Sequence, residues 1–151
     1  MDPTSLLSRI DDVALVSLAQ EMVRIPSPNG QERAMGEWLA TRLSGMGLAV
    51  TVQDVHQGRL NVVAELPGRV GGPAGLLFHG HIDTVHALGM PEPYGGHLID
   101  GAIWGRGSVD QKGGLAAAIV AMSALAQAGS SLRKGVALAA VIDEESEHRG
   151  S

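Results

Sequence analysis

The chain has 151 residues, 44% of them hydrophobic and 18% charged, enough for one domain with a real core and unlike a disordered chain. A net charge of −5 with no basic run argues against nucleic acid as a partner. With no cysteine, disulfides and thiolate metal sites are excluded. The stretch MDPTSLLSRIDDVALV carries acids where a secretory signal carries bases, so a cytoplasmic location is expected.

Taken in chain order, residues 11–25 place Ala14, Leu18, Met22 and Ile25 on one helical face. The two prolines of IPSPNG end that helix. A second helix is predicted with Asn29 as its cap and Glu32 three residues on, turning Met35, Trp38, Leu39, Leu43 and Met46 inward. Strands are predicted at 49–55, 59–66 and 75–80. Asp100-Gly101, flanked by apolar residues, signals a two-residue hairpin.

The uncharged segment GGLAAAIVAMSALAQAGSSL reads as a buried helix over 113–129 rather than a membrane span, being rich in Gly, Ala and Ser. GVALAAVID at 135–143 reads as a strand buried on both faces. The order predicts an α/β domain of three layers with a mixed, mostly parallel sheet. A strand that has just delivered acids to its carboxyl end should lead into more sheet, so the domain is expected to be incomplete at its C-terminus. Its last strand is then expected to leave an open edge.

Chemistry-bearing residues gather at the ends of these elements: His81-Ile82-Asp83, Asp110, and Asp143-Glu144-Glu145. Ligands collect at the carboxyl ends of strands in open α/β sheets. If 75–80 and 135–143 are neighbouring parallel strands, His81 and Glu145 open onto one crevice, with Asp110 at the mouth of the following helix. One imidazole among carboxylates is a ligand set for zinc or cobalt. Asp83, two residues beyond His81 on extended backbone, faces the same way and can fix the ring through its second nitrogen.

Three motifs, LLFHGHIDTV, GRGSVDQKGG and VIDEES, stand in this order with roughly thirty and thirty-five residues between their acids and histidine. Together with VRIPSPNG, NVVAELPG and IDGAIWGRG, they make the chain resemble the zinc-dependent aminoacylase and carboxypeptidase family, from about Leu15 to Gly150. That family includes acetylornithine deacetylase, succinyl-diaminopimelate desuccinylase and glutamate carboxypeptidase. The resemblance implies a zinc-exopeptidase-like fold and hydrolysis of an amide in N-acyl amino acids or small peptides. It implies His81 on one Zn2+, Asp110 bridging two, Glu145 on the other, Glu144 as general base and Asp83 as supporting carboxylate. Co2+ is compatible with the same donors.

The resemblance also implies a further acidic ligand some two dozen residues after Glu145, a late histidine, and a smaller domain through which full-length members form homodimers. On that reading, residues 1–151 are the N-terminal portion of a metallohydrolase catalytic domain, with the lid domain and the rest of the catalytic domain absent. The portion alone is expected to be inactive. The alternative is a truncated, non-catalytic metal-binding or interaction module.

Each residue also has a plainer reading. Asp110 alone would be a helix N-cap, and Glu144 and Glu145 a solvated pair. GRGSVDQKGG lacks the spacing of a phosphate loop, and an aspartate at a helix mouth opposes phosphate. His79 is expected to pack against the sheet, and His56, His86 and His97 to lie at the surface. His148 departs from the small, glycine-rich turn that the family places there, which questions the shape of that loop.

Overall fold

The computed structural model describes residues 3–129 and 132–151, so the Ser130–Ser131 end of the long uncharged segment lies outside the described residues. A short helix α1 (Pro3–Leu7) precedes α2 (Asp12–Arg24) and α3 (Arg33–Gly45). Strands β1 (Ala49–His56), β2 (Arg59–Leu66) and β3 (Leu76–His81) follow, then the small strands β4 (His97–Ile99) and β5 (Ala102–Trp104). A kinked turn at Ser108–Lys112 leads into α4 (Gly113–Gln127), and β6 (Val136–Val141) closes the order.

Local chemistry explains the boundaries. Asp11 caps α2 by accepting from the amides of Val13 at 2.9 Å and Ala14 at 3.2 Å. Pro26 forces Ile25 out of helical backbone and stops the helix, and Ile25 is extended at φ −95°. Between β4 and β5, Asp100 (φ 50°) and Gly101 (φ 79°) are both left-handed, as a two-residue hairpin turn requires.

Sheet order is β1-β2-β6-β3. β6 runs parallel to β3 with His81 opposite Val141, so the condition under which His81 and Glu145 share one crevice is met. The sheet is mixed, as expected, but its parallel share is smaller: β1–β2 and β2–β6 are antiparallel. Only Gln57 and Gly58 separate β1 from β2, a link too short for anything but an antiparallel pair. The expected open edge on the last strand is also corrected. β6 fills the interior, and β1 and β3 are the edges.

The core forms between the helices and one sheet face. Met22 of α2, Leu39 and Leu43 of α3, and Leu115 and Ile119 of α4 share it with Val62, Ala64, Leu138 and Ala140. A Cβ added at Gly36 would meet Leu60 at 3.0 Å, which shows how closely α3 lies on β2. A Cβ on Gly80 would meet Gln111 at 2.0 Å and Leu115 at 2.9 Å, so glycine there lets the start of α4 sit against β3. The opposite face, bearing Leu77 and His79 of β3, carries no helix among the described residues, which thus form two of the three expected layers. His79 is correspondingly exposed rather than packed.

Candidate metal centre

His81 ends β3, and the Asp143–Glu145 segment follows β6 one strand away, so the parallel register delivers both to one end of the sheet. Asp110 arrives from the kinked turn before α4. It is not that helix's cap: its backbone is extended (φ −122°, ψ 99°), and α4 begins three residues later without a side-chain cap. Its carboxylate instead stands 3.0 Å from His81 Nε2.

His81 is only 3% exposed. Its Nδ1 lies 2.9 Å from the Asp83 carbonyl oxygen and 3.5 Å from Asp83 Oδ1, which leaves Nε2 facing the acids. Glu144 Oε2 lies 3.8 Å from that nitrogen. One ligand atom each from His81, Glu144 and Glu145 falls within 4.8 Å of the others. The sequence reading placed Asp110 rather than Glu144 beside His81 on the metal; both carboxylates are close to it. A cleft of about 320 Å³ is lined by Val85, the Gly105–Asp110 turn and Glu145, so two of these acids, Asp110 and Glu145, face it.

Asp83 does more than support His81. Its carboxylate is fully buried and accepts the amides of Glu144 at 3.1 Å and Glu145 at 3.0 Å. Asn29 Nδ2 reaches it at 3.3 Å and Asp143 at 2.9 Å. Asp143, buried and left-handed at φ 67°, also accepts from Arg59 Nη2 at 2.7 Å and Ser146 Oγ at 3.1 Å. Arg59 Nε binds buried Glu32 at 2.8 Å. This explains why Glu32 fails as the α3 capping partner: its carboxylate serves Arg59 and the amide of Gly30 (3.0 Å) instead.

Asn29, Glu32 and Arg59 were thus missed as parts of the site, and Asp143, although named within the acidic cluster, was given no role there. The available signal was polar Arg59 and Asn61 alternating with apolar residues at the start of RLNVVAEL. Lys112 is likewise fully buried, with Nζ 2.7 Å from the Ile25 carbonyl oxygen. Burial lowers its pKa to about 8. The loop after β6 does close despite His148, whose amide donates to the Asp143 carbonyl oxygen at 2.8 Å.

Electrostatics follow from these contacts. The Asp83 carboxylate, against the opposing effect of burial, pushes His81 up to about 9, with Asp110 adding to the rise. Burial alone would raise Asp83 and Asp143. Asp83 is nonetheless held below 3.8 by His81, the two glutamate amides and Asn29, and Asp143 by Arg59 and Asn29. Burial, then the Asp110 charge, raises Glu145.

Depressed aspartates contribute stability that is present above pH 3.8 and lost as pH falls through their lower folded values. Raised His81 contributes stability present below pH 6.5 and lost towards about 9. Chelator-treated protein is therefore expected to be most stable between about pH 4 and 6.5. Urea midpoints measured across pH check this; a midpoint higher at pH 8 than at pH 6 would contradict it.

The pattern of Peptidase family M20/M25/M40 matches residues 77–151, the stretch that holds His81, Asp83, Asp110, Glu144 and Glu145. The chain belongs to this peptidase family. It is 32% identical over 151 residues to a probable succinyl-diaminopimelate desuccinylase of Staphylococcus epidermidis, covering 97% of this chain and 36% of that protein. Against succinyl-diaminopimelate desuccinylase of Cereibacter sphaeroides, it is 37% identical over 116 residues, covering 74% of this chain and 29% of that one. The chain thus spans about a third of the length of these relatives. Its fold matches the crystal structure of human carnosine dipeptidase 1 with a TM-score of 0.77 at 24% identity, over 96% of this chain and 35% of that one.

Proposed function

We propose that the chain contributes the N-terminal portion of a dinuclear, zinc-dependent amidohydrolase acting on an N-acyl amino acid or small peptide. The observation that carries this reading is the convergence of one ligand atom each from His81, Glu144 and Glu145 within 4.8 Å, with Asp110 3.0 Å from His81 Nε2. The donors fit such a group, because Nδ1 is engaged by Asp83 and Nε2 is turned towards carboxylates. His81 and Asp110 would hold one cation, and Asp110 and Glu145 the other. Co2+ is compatible with the same donors. When bound, the cations supply Lewis-acid polarisation of the scissile carbonyl and make water more acidic.

The remaining steps belong to the side chains. Asp83 keeps the His81 ring oriented. Glu144, tethered through its amide to Asp83, accepts the proton of the attacking water and returns it to the leaving amine. The cleft beside Asp110 and Glu145 would admit the substrate's amide. A cytoplasmic enzyme that forms homodimers through a further domain agrees with this reading. No helix among the described residues is long and apolar enough to cross a membrane.

Isothermal titration with Zn2+ tests the reading. His81→Ala is expected to weaken binding at least tenfold, and an unchanged isotherm would remove His81 as a ligand. With only four site donors supplied by these residues, weak zinc binding and little or no turnover are expected of the 151-residue chain. Clear hydrolysis of an N-acyl amino acid by it would overturn that last expectation.

A further inference from the structure

Behind the acids that face the cleft lies a second, largely buried polar layer. Glu32 and Asp143 are both fully buried, and Arg59 (8% exposed) stands between them. Arg59 binds Glu32 through Nε and Nη2, and the same Nη2 donates to Asp143 Oδ1 at 2.7 Å. Asn29 then links Asp143 to Asp83 with one amide nitrogen, 2.9 Å from the first and 3.3 Å from the second. The Asp83 carboxylate in turn receives the two consecutive amides of Glu144 and Glu145. The chain can present both amides to one carboxylate because Asp143, just before them, is left-handed at φ 67°.

A left-handed aspartate is uncommon and is kept only where surrounding contacts hold it. Four side-chain or amide donors converge on Asp143: Asn29, Arg59, Ser146 and the Arg149 amide. Arg59 is the one formal charge among them within 3 Å, and the one anchored at its far side, to Glu32 at the start of α3. A planar fork that grips one carboxylate in two places and a second in one is the geometry an arginine supplies and a lysine does not.

We propose that Arg59 is a positioning residue for the site: it holds the Asp143 turn from behind and so sets where Glu144 and Glu145 hang from Asp83. Arg59 touches none of the groups facing the cleft and acts only through Asp143. Its catalytic meaning rests on the metal-hydrolase reading above, whereas the placement of the two amides does not.

The test separates these two. Amide hydrogen exchange is measured by NMR in the full chain and in E32Q/R59M, which removes the arginine together with the charge of its nearer partner. Exchange at the Glu144 and Glu145 amides is expected to rise at least tenfold relative to Val62 and Leu138 in the same variant. Protection unchanged at both amides would overturn the proposal. Where E32Q/R59M lacks a dispersed spectrum, R59K is read in the same way, with the same direction expected, since lysine keeps the charge but not the fork.

A parallel Co2+ titration followed by visible absorption is expected to show at least tenfold weaker binding in the variant. Co2+ bound equally well by both proteins would overturn the claim that the turn's position matters to the site. If the unsubstituted chain itself bound no Co2+, the metal reading would fall, while the amide result would still decide the role of Arg59.

Discussion

Arg59→Met is expected to destabilise the fold by about 3–5 kcal/mol, the usual cost of removing one partner from a buried ion pair. The effect comes less from lost attraction than from what remains. Glu32 and Asp143 are both 0% exposed, and neither reaches water when the guanidinium is gone. Glu32 would keep only the Gly30 amide, and Asp143 would fall back on Asn29, Ser146, the Arg149 amide and, at 3.9 Å, the exposed Arg149 guanidinium. Domains of this size are stable by roughly 5–15 kcal/mol in total, so the substitution removes a large share. Arg33–Glu37, with side chains 67% and 54% exposed, is the control. Losing that surface pair should cost no more than about 0.5 kcal/mol. Urea denaturation of the two variants checks the contrast, and equal midpoints would show that the buried ion pair contributes no more than the surface one. Glu32→Gln added to Arg59→Met is expected to recover part of the loss, because it removes one stranded charge.

Glu144→Gln is expected to lower kcat by about 10²- to 10⁴-fold in any form of the protein that shows turnover. Glutamine matches glutamate in size and leaves the backbone amide on Asp83, so the turn keeps its shape. What is lost is the ability to take a proton. Folding, and cation binding through His81 and Glu145, are expected to persist, because neither depends on that proton acceptor. Retained kcat would remove Glu144 as general base. A parallel loss of bound cation would instead place it among the ligands, a role its 3.8 Å approach to His81 Nε2 makes specific enough to test. Steady-state rates and metal content measured on the same preparation tell these apart.

The sequence carried the elements better than their arrangement. Strand β2 lies at 59–66, as its alternation predicts, and the Asp100-Gly101 turn follows from the only backbone those two residues adopt easily there. Pairing order was not legible. Nothing in VALAAV says that it inserts between β2 and β3 rather than at an edge, because a strand buried on both faces reads alike wherever its neighbours come from.

The groups facing the cleft stood out in the sequence because a histidine and several acids gather at predicted strand and helix ends, where ligands collect in open α/β sheets. The layer behind them was not. Asn29 and Glu32 look like a helix cap from sequence, and only the fold brings Arg59 and Asp143, 84 residues apart, within 2.7 Å. A side chain whose partner is set by tertiary contact leaves no local signature, and a capping pattern is then the nearest available misreading.

The place of β6 between β2 and β3 has a kinetic consequence. The β1–β2 hairpin closes through two residues and can form early and alone, but β3 finds no partner until β6 arrives more than fifty residues later. The sheet is therefore expected to be joined last along its middle. The strand that joins it also carries Asp143, Glu144 and Glu145 on its outgoing end, so a continuous sheet and the paired glutamates are expected to be acquired in one late event rather than two.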